Sequence, residues 1–169
     1  MRAGRDERAR VRGAQRGSVS DLEALFRTHW PRAFRAAYLV THDAAAAEDI
    51  AQESFLAAIR TLDRFDRRRP FGPWLHRIAV NRAIDWTRAR RLRAEAELSE
   101  SVPAPAPAAA PGGDVLAALA RLTPEHRAVI VLRYLLELTP GEIAEALELP
   151  RGTVNSRLRR GLDALQEEL

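Results

Sequence analysis

The sequence of 169 residues contains no cysteine, which excludes disulfide bonds, cysteine-ligated zinc and a cysteine nucleophile. Its histidines stand singly, without the spacing typical of metal ligands. No glycine-rich phosphate loop or catalytic cluster accompanies the carboxylates. We therefore expect no enzymatic activity, no metal and no cofactor.

Long apolar runs are also lacking. None approaches the roughly 20 residues that span a bilayer, and the basic N-terminus is not followed by the apolar core of a signal peptide. We expect a cytoplasmic protein that makes no membrane contact by itself. Neither sustained apolar alternation nor a hairpin turn appears, so the predicted fold is all-α.

Lysine is absent, and all 27 basic residues are arginine. Arginine favours bidentate contacts with phosphate and guanine, although the same bias arises from genomic base composition. The formal net charge is +4, but residues 60–93 carry eleven arginines against three aspartates, a local charge of +8. A basic segment attracts an anionic partner in a salt-dependent way, and nucleic acid is the natural candidate.

Residues 71–91 have a helical period with two different stripes. At about 100° per residue, one stripe is apolar and includes Leu75, Ile78 and Ala79. A stacking aromatic, a base-reading amide and phosphate-binding arginines on the other stripe suit a surface for single-stranded nucleic acid. An ordinary solvated helix is the alternative. We call the polar stripe the 74–88 face; it consists of Trp74, Arg77, Asn81, Asp85 and Arg88.

Composition divides the chain into four parts. Residues 1–19 are basic and lack a period, which predicts a disordered tail. Residues 20–93 are predicted to form a first domain of three helices. Residues 94–113 contain SVPAPAPAAAPGG and are expected to be an extended Pro/Ala-rich linker. Residues 114–169 are predicted to form a second small helical domain.

Local signals place the helices of the first domain. Ser20 and Glu23 form a capping-box pattern that starts the first helix. Pro31 predicts a kink or break within it. A second helix is expected to begin after Asp43 and to end near Leu62.

The second domain contains a helix-turn-helix pattern. A capping box at Thr139 and Glu142 opens the first helix of the pair, a short turn contains Pro150, and Val154 and Leu158 begin the apolar stripe of the second. The N-terminal part of such a second helix reads base edges in the major groove, although tetrahelical units without DNA function share the pattern. The outward-facing candidates are Arg151, Thr153, Asn155, Ser156, Arg159 and Arg160.

An acidic stripe, Asp49, Gln52 and Glu53, lies on the predicted second helix, opposite its apolar positions. It suits either a basic partner helix or an ordinary solvated face. Residue pattern alone leaves both interpretations open.

The order of segments resembles the extracytoplasmic-function (ECF) sigma factors of bacterial RNA polymerase over residues 21–169. The resemblance rests on LFRTHWPRAFRAAY, AEDIAQESFLAAIR, FDRRRPFGPWLHRIAVNRAIDWTRARR, LTPEHRAVIVLRYL and LTPGEIAEALELPRGTVNSRLRRGLDAL, in that order. It implies an all-α initiation factor whose first domain binds and melts the minus-ten promoter element. The second, a winged-helix-like helix-turn-helix domain, would read the minus-thirty-five element through the six outward-facing candidates.

The resemblance also implies partners. The acidic stripe matches the contact with the clamp helices, a coiled coil of the largest core subunit, and the second domain would contact the beta flap. Residues 64–71 match a loop that receives a base flipped from the non-template strand, so Arg64, Phe65 and Phe71 join the 74–88 face as candidates for minus-ten binding and melting. An anti-sigma factor is a further expected partner.

Two positions depart from the family pattern. Glu148 stands where glycine is usual, and a non-glycine residue at positive φ is disfavoured, so a slightly different turn is expected. Asn155 replaces a basic residue and can pair bidentately with adenine. The main rival interpretation is a free-standing helix-turn-helix regulator, which would leave the 74–88 face and the acidic stripe without a role.

Overall fold

The computed structural model describes the backbone of residues 2–98 and 113–169. Within these ranges it contains helices and no strand, which confirms the all-α prediction and leaves no counterpart of a wing. The helices are α1 (Arg2–Gln15), α2 (Val19–Thr41), α3 (Ala44–Thr61), α4 (Phe71–Leu98), α5 (Gly113–Arg121), α6 (Pro124–Ile130), α7 (Pro140–Leu147) and α8 (Arg151–Glu167).

The prediction of a disordered tail at residues 1–19 is wrong, because most of this segment forms helix α1. Val11 is only 2% exposed and packs in the core of the first domain. The side-chain amide of Gln15 donates to the carbonyl oxygens of Leu62 (2.8 Å) and Phe65 (3.2 Å). These contacts with distant residues, rather than an apolar period, stabilise the helix, because short helices depend on tertiary packing.

Helix α2 begins two residues earlier than predicted and continues through Pro31. The hydroxyl of Ser18, rather than that of Ser20, accepts a hydrogen bond from the Asp21 N–H (3.3 Å). A proline inside a helix costs about 3 kcal/mol. Burial of Leu25, Ala33, Ala36, Ala37 and Val40 on the core side of α2 offsets that cost.

Helix α3 begins as predicted, since Asp43 Oδ1 accepts from the Ala46 N–H (3.0 Å). Helix α4 then packs across α2 and α3. It extends to Leu98, so the first residues of the expected linker 94–113 are helical, while residues 99–112 lie outside the described residues.

The second domain consists of α5 to α8, with a π-helical turn, Val131–Leu135, after α6. The capping box is confirmed: the Thr139 hydroxyl accepts from the Glu142 N–H (3.3 Å), and the Glu142 carboxylate accepts from the Thr139 N–H (2.8 Å). The expectation that Glu148 would change the turn is wrong. Glu148 adopts the left-handed conformation itself, with φ 53° and ψ 44°, at a cost of about 1–2 kcal/mol.

The two domains share one hydrophobic core. Val40, Val80 and Ile84 of the first domain belong to the same buried cluster as Leu132 and Ile143 of the second. Arg127 of α6 is also buried, at 8% exposure. Burial, and then the nearby charge of Arg127, lowers the pKa of His42 at the end of α2 to about 4.

His76 of α4 makes folding stability depend on pH. It is 4% exposed, and burial, followed by the nearby His29, lowers its pKa to about 4. In the unfolded chain this histidine has a pKa near 6.5, so below that pH it is protonated while His76 of the folded chain stays neutral. Stability is therefore lost as the pH falls from about 6.5 to about 4, by about 3 kcal/mol for this group.

Chemical denaturation at pH 7 and at pH 4.5 measures this effect. His76→Leu is expected to reduce the stability difference between the two pH values, and the remainder includes the contribution of His42. A difference equal to that of the wild type would exclude His76 as its source.

Candidate functional site

The 74–88 face lies against the second domain. The side-chain amide of Asn81 donates to the carbonyl oxygen of Ala146 in α7 (2.9 Å). Arg88 Nε lies 3.6 Å from the Glu125 carboxylate of α6. Between these contacts is a cavity of about 250 Å³ that Asp85 also lines. The amide of Asn81 is thus turned toward the other domain, whereas Asp85 and Arg88 line the cavity and remain exposed.

The N-terminal end of this face is covered in the same way. Trp74 and Arg77 line a smaller cavity of about 100 Å³ together with Glu142 and Glu145 of α7. Arg69, in the loop before α4, lies 3.9 Å from the Glu145 carboxylate. Helix α7 therefore spans the face from Trp74 to Asn81.

Two aromatic candidates are buried rather than available to DNA. Phe65 is 8% exposed and Phe71 3%, and their ring centroids lie 4.5 Å and 5.7 Å from that of Trp74. The prediction that these two rings contact DNA directly is incompatible with their burial here. They instead hold the half-buried Trp74 in position, whereas Arg64 is exposed.

Helix α8 presents its polar candidates outward. Val154 and Leu158 are buried against the rest of the second domain. Arg151, Asn155, Arg159 and Arg160 are exposed, and Thr153 and Ser156 are half-buried. In the described part of the chain, none of the arginines among them takes part in an ion pair. Their guanidinium groups are therefore available to an anionic partner.

The acidic stripe lies on the exposed side of α3. Asp49 and Gln52 are exposed, but Glu53 is paired with Arg82 of α4 at 2.8 Å. The stripe continues into apolar side chains, because Leu56 is 46% exposed and Ile59 42%. A groove of about 260 Å³ next to Ile59 is lined by Val19, Leu22, Glu23, Phe26 and Phe55. The surface is acidic at one end and apolar at the other.

Sequence reasoning missed the contacts between the domains. Arg32 of α2 donates to the carbonyl oxygen of Leu135 through Nε (3.2 Å) and through Nη2. It also lies 3.9 Å from the Glu137 carboxylate. A single arginine on a helix carries no pattern that identifies such a distant partner.

The part of the chain that the structure describes has no cluster of side chains suited to a metal ion. Among the same residues, no helix has the length and apolar content needed to cross a bilayer.

Two protein-family models match the sequence: Sigma-70 region 2 at residues 25–93 and Sigma-70, region 4 at residues 113–165. It is 31% identical to the ECF RNA polymerase sigma factor SigW of Bacillus subtilis, with 95% of each chain covered. The structure is similar to CnrH in complex with the cytosolic domain of CnrY, at 28% identity, a TM-score of 0.69 and 96% coverage of each chain.

The fold is also similar to that of the sigma factor RpoE of Bartonella quintana, solved with the anti-sigma factor NepR. The identity is 23%, the TM-score 0.71, and the coverage 89% of this chain and 97% of that one. Both sigma-70 regions are thus present, in the order that the motifs predicted. The chain belongs to the ECF sigma factors of the sigma-70 family, which bind RNA polymerase and direct it to promoters.

Proposed function

We propose that three surfaces of this sigma factor bind different partners during transcription initiation. Asp49 and Gln52 of the acidic stripe bind the clamp helices of the largest core subunit, while the second domain contacts the beta flap. The 74–88 face and Arg64 bind and melt the minus-ten element. The outward side of α8 reads the minus-thirty-five element. The protein has no catalytic role of its own and acts in the cytoplasm, where core polymerase is found.

The observation that carries this assignment is the different availability of the three surfaces. Asp49, Gln52 and the arginines of α8 are exposed, whereas α7 covers the 74–88 face from Trp74 to Asn81. Core polymerase and duplex DNA can therefore reach their surfaces on the protein as it is folded here. Single-stranded minus-ten DNA cannot reach the covered part of its surface, although Arg64, Asp85 and Arg88 are exposed.

Promoter opening therefore requires the two domains to separate. The Asn81 amide has to exchange the carbonyl oxygen of Ala146 for a base edge or a sugar-phosphate group. Extruding a base costs a few kcal/mol of stacking and pairing, and the exposed Trp74 and Asn81 would offset part of it. Core polymerase, bound at α3 and at the second domain, is the partner positioned to hold the open form.

An anti-sigma factor is the other proposed partner. The structure of RpoE with its anti-sigma factor shows that this fold accommodates such a partner. Here the binding surface would include the acidic stripe, because masking Asp49 and Gln52 prevents polymerase from binding.

Transcription from a fragmented genomic library of the source organism, with sigma-free core polymerase and the purified protein, tests the proposal. We expect discrete start sites preceded by a shared two-part motif, and weak duplex binding by the free protein. Tight sequence-specific binding without core polymerase, together with no initiation, would identify a free-standing helix-turn-helix regulator instead.

A further inference from the structure

Three inward contacts fix the rotation of α1 about its own axis. The Glu7 carboxylate lies 2.7 Å from Nε2 of His29, and hydrogen bonding to His29 lowers the pKa of Glu7. Val11 is buried, and Gln15 donates to Leu62 and Phe65. These three side chains are spaced four residues apart, so they lie on one side of the helix.

The flank of α1 next to this inward side is basic. At about 100° per residue, Arg8 and Arg12 lie on that flank, and Arg16 follows in the turn after the helix. Gly13, about 100° beyond Arg12 around the helix, faces the side chain of Asp21 in α2. The basic flank lies next to Gln15, on the side where Gln15 contacts the segment from Leu62 to Phe65.

These three arginines are exposed, and within the described residues they form no ion pair or side-chain hydrogen bond. Several arginines elsewhere are paired, among them Arg27 with Glu23 and Arg82 with Glu53. We call Arg8, Arg12 and Arg16 the α1 flank.

The α1 flank adjoins the basic loop before α4. Between and just after the two carbonyl groups that bind Gln15, the chain exposes Arg64, Arg67 and Arg68. The loop also contains two acidic residues, of which Asp66 accepts a hydrogen bond from the Arg68 N–H (2.9 Å). Arginines remain in excess, and Trp74 of the 74–88 face packs against Phe65 of the same segment.

We propose that the α1 flank binds the phosphate backbone of promoter DNA next to the strand held by the 74–88 face. The inference rests on the proposed minus-ten function of that face. It adds α1 to the DNA surface as a third element of the first domain, besides α4 and the loop before it. Unpaired guanidinium groups suit phosphate oxygens, which they can contact bidentately. Such contacts strengthen binding without reading sequence.

The test compares two triple variants of the full-length protein in complex with core polymerase. Arg8→Gln/Arg12→Gln/Arg16→Gln removes the α1 flank, while Arg10→Gln/Arg27→Gln/Arg121→Gln removes the same charge elsewhere. Promoter affinity is measured between 50 and 300 mM salt, on the order of the range in which phosphate contacts dominate. Thermal unfolding verifies that both variants are folded.

The expected result is a shallower salt dependence for the α1 variant alone. Each lost phosphate contact lowers the slope of log affinity against log salt by about 0.7–0.9, so three contacts lower it by roughly 2 to 3. Arg→Lys at the same positions should restore most of the slope. Core affinity should be the same in wild type and in all variants.

Two results would overturn the proposal. A slope equal to that of the charge-matched control would show that the α1 flank does not bind DNA, and a selective loss of core affinity would assign it to polymerase. If the wild type gives no core-dependent promoter binding, the proposed function fails. In that case, the salt dependence with which the free wild type and variants bind a fork of duplex and single-stranded DNA tests the α1 contact independently.

Discussion

Linking α2 to the second domain is expected to abolish promoter opening while leaving the proposed contact between α3 and core polymerase intact. The link joins Arg32→Cys to Glu137→Cys, whose native side chains lie 3.9 Å apart. The chain has no cysteine of its own, so a short bis-maleimide reagent with a cleavable disulfide joins only these two positions. Neither residue belongs to the 74–88 face.

The physical reason is the position of α7. While the domains remain linked, Asn81 keeps its hydrogen bond to Ala146 and α7 covers Trp74. Asp49 and Gln52 stay exposed on α3, so polymerase can still bind there. We expect permanganate reactivity of the minus-ten thymines to fall to the level seen without the sigma factor, and to return when the reagent is cleaved.

A link within the second domain provides the control. Arg121→Cys joined to Glu168→Cys connects an existing ion pair of that domain and adds the same reagent without tying the domains together. Normal promoter opening by the protein linked between positions 32 and 137 would show that minus-ten binding does not need the separation of the domains.

Reversing the charge of Asp49 is expected to have the second large effect. Asp49→Arg places a cation where a basic partner helix is proposed to bind, so core affinity should fall by at least about tenfold, or about 1.4 kcal/mol. Fluorescence anisotropy of labelled protein titrated with core polymerase measures this loss. The fold should remain intact, because Asp49 is exposed.

Two matched variants sharpen the result. Asp6→Arg makes the same charge change at an exposed position of α1, outside the surfaces proposed to contact polymerase, and should leave core affinity unchanged. Glu53→Gln removes a carboxylate that is already paired with Arg82, so its effect should be smaller than that of Asp49→Arg. Wild-type affinity of the Asp49→Arg protein would remove this residue from the interface.

Much of the helical order could be predicted from local sequence signals. Asp43 and Thr139 cap α3 and α7 where expected, because an N-cap acts within a single turn and its residues are adjacent in sequence. The outward side of α8 followed from the periodicity of Val154 and Leu158, both of which are buried.

The features that sequence did not predict depend on distant contacts. Helix α1 is stabilised by bonds from Gln15 to residues 47 and 50 positions away. Phe71 is buried because it meets Phe65 and His29 at the start of α4. The partner of Asn81 lies 65 positions away in α7. Periodicity describes which side of a helix is apolar, but it does not identify the element that covers a polar side.

The shared core of the two domains links the stability of the free protein to its activity. Separating the domains exposes apolar side chains that are now fully buried, among them Val80 and Leu132, at about 25 cal/mol for each Å² brought into water. A substitution that improves packing across this core makes the free sigma factor more stable and, to the same extent, a weaker promoter binder. Selection for function therefore limits how well the two domains can pack together.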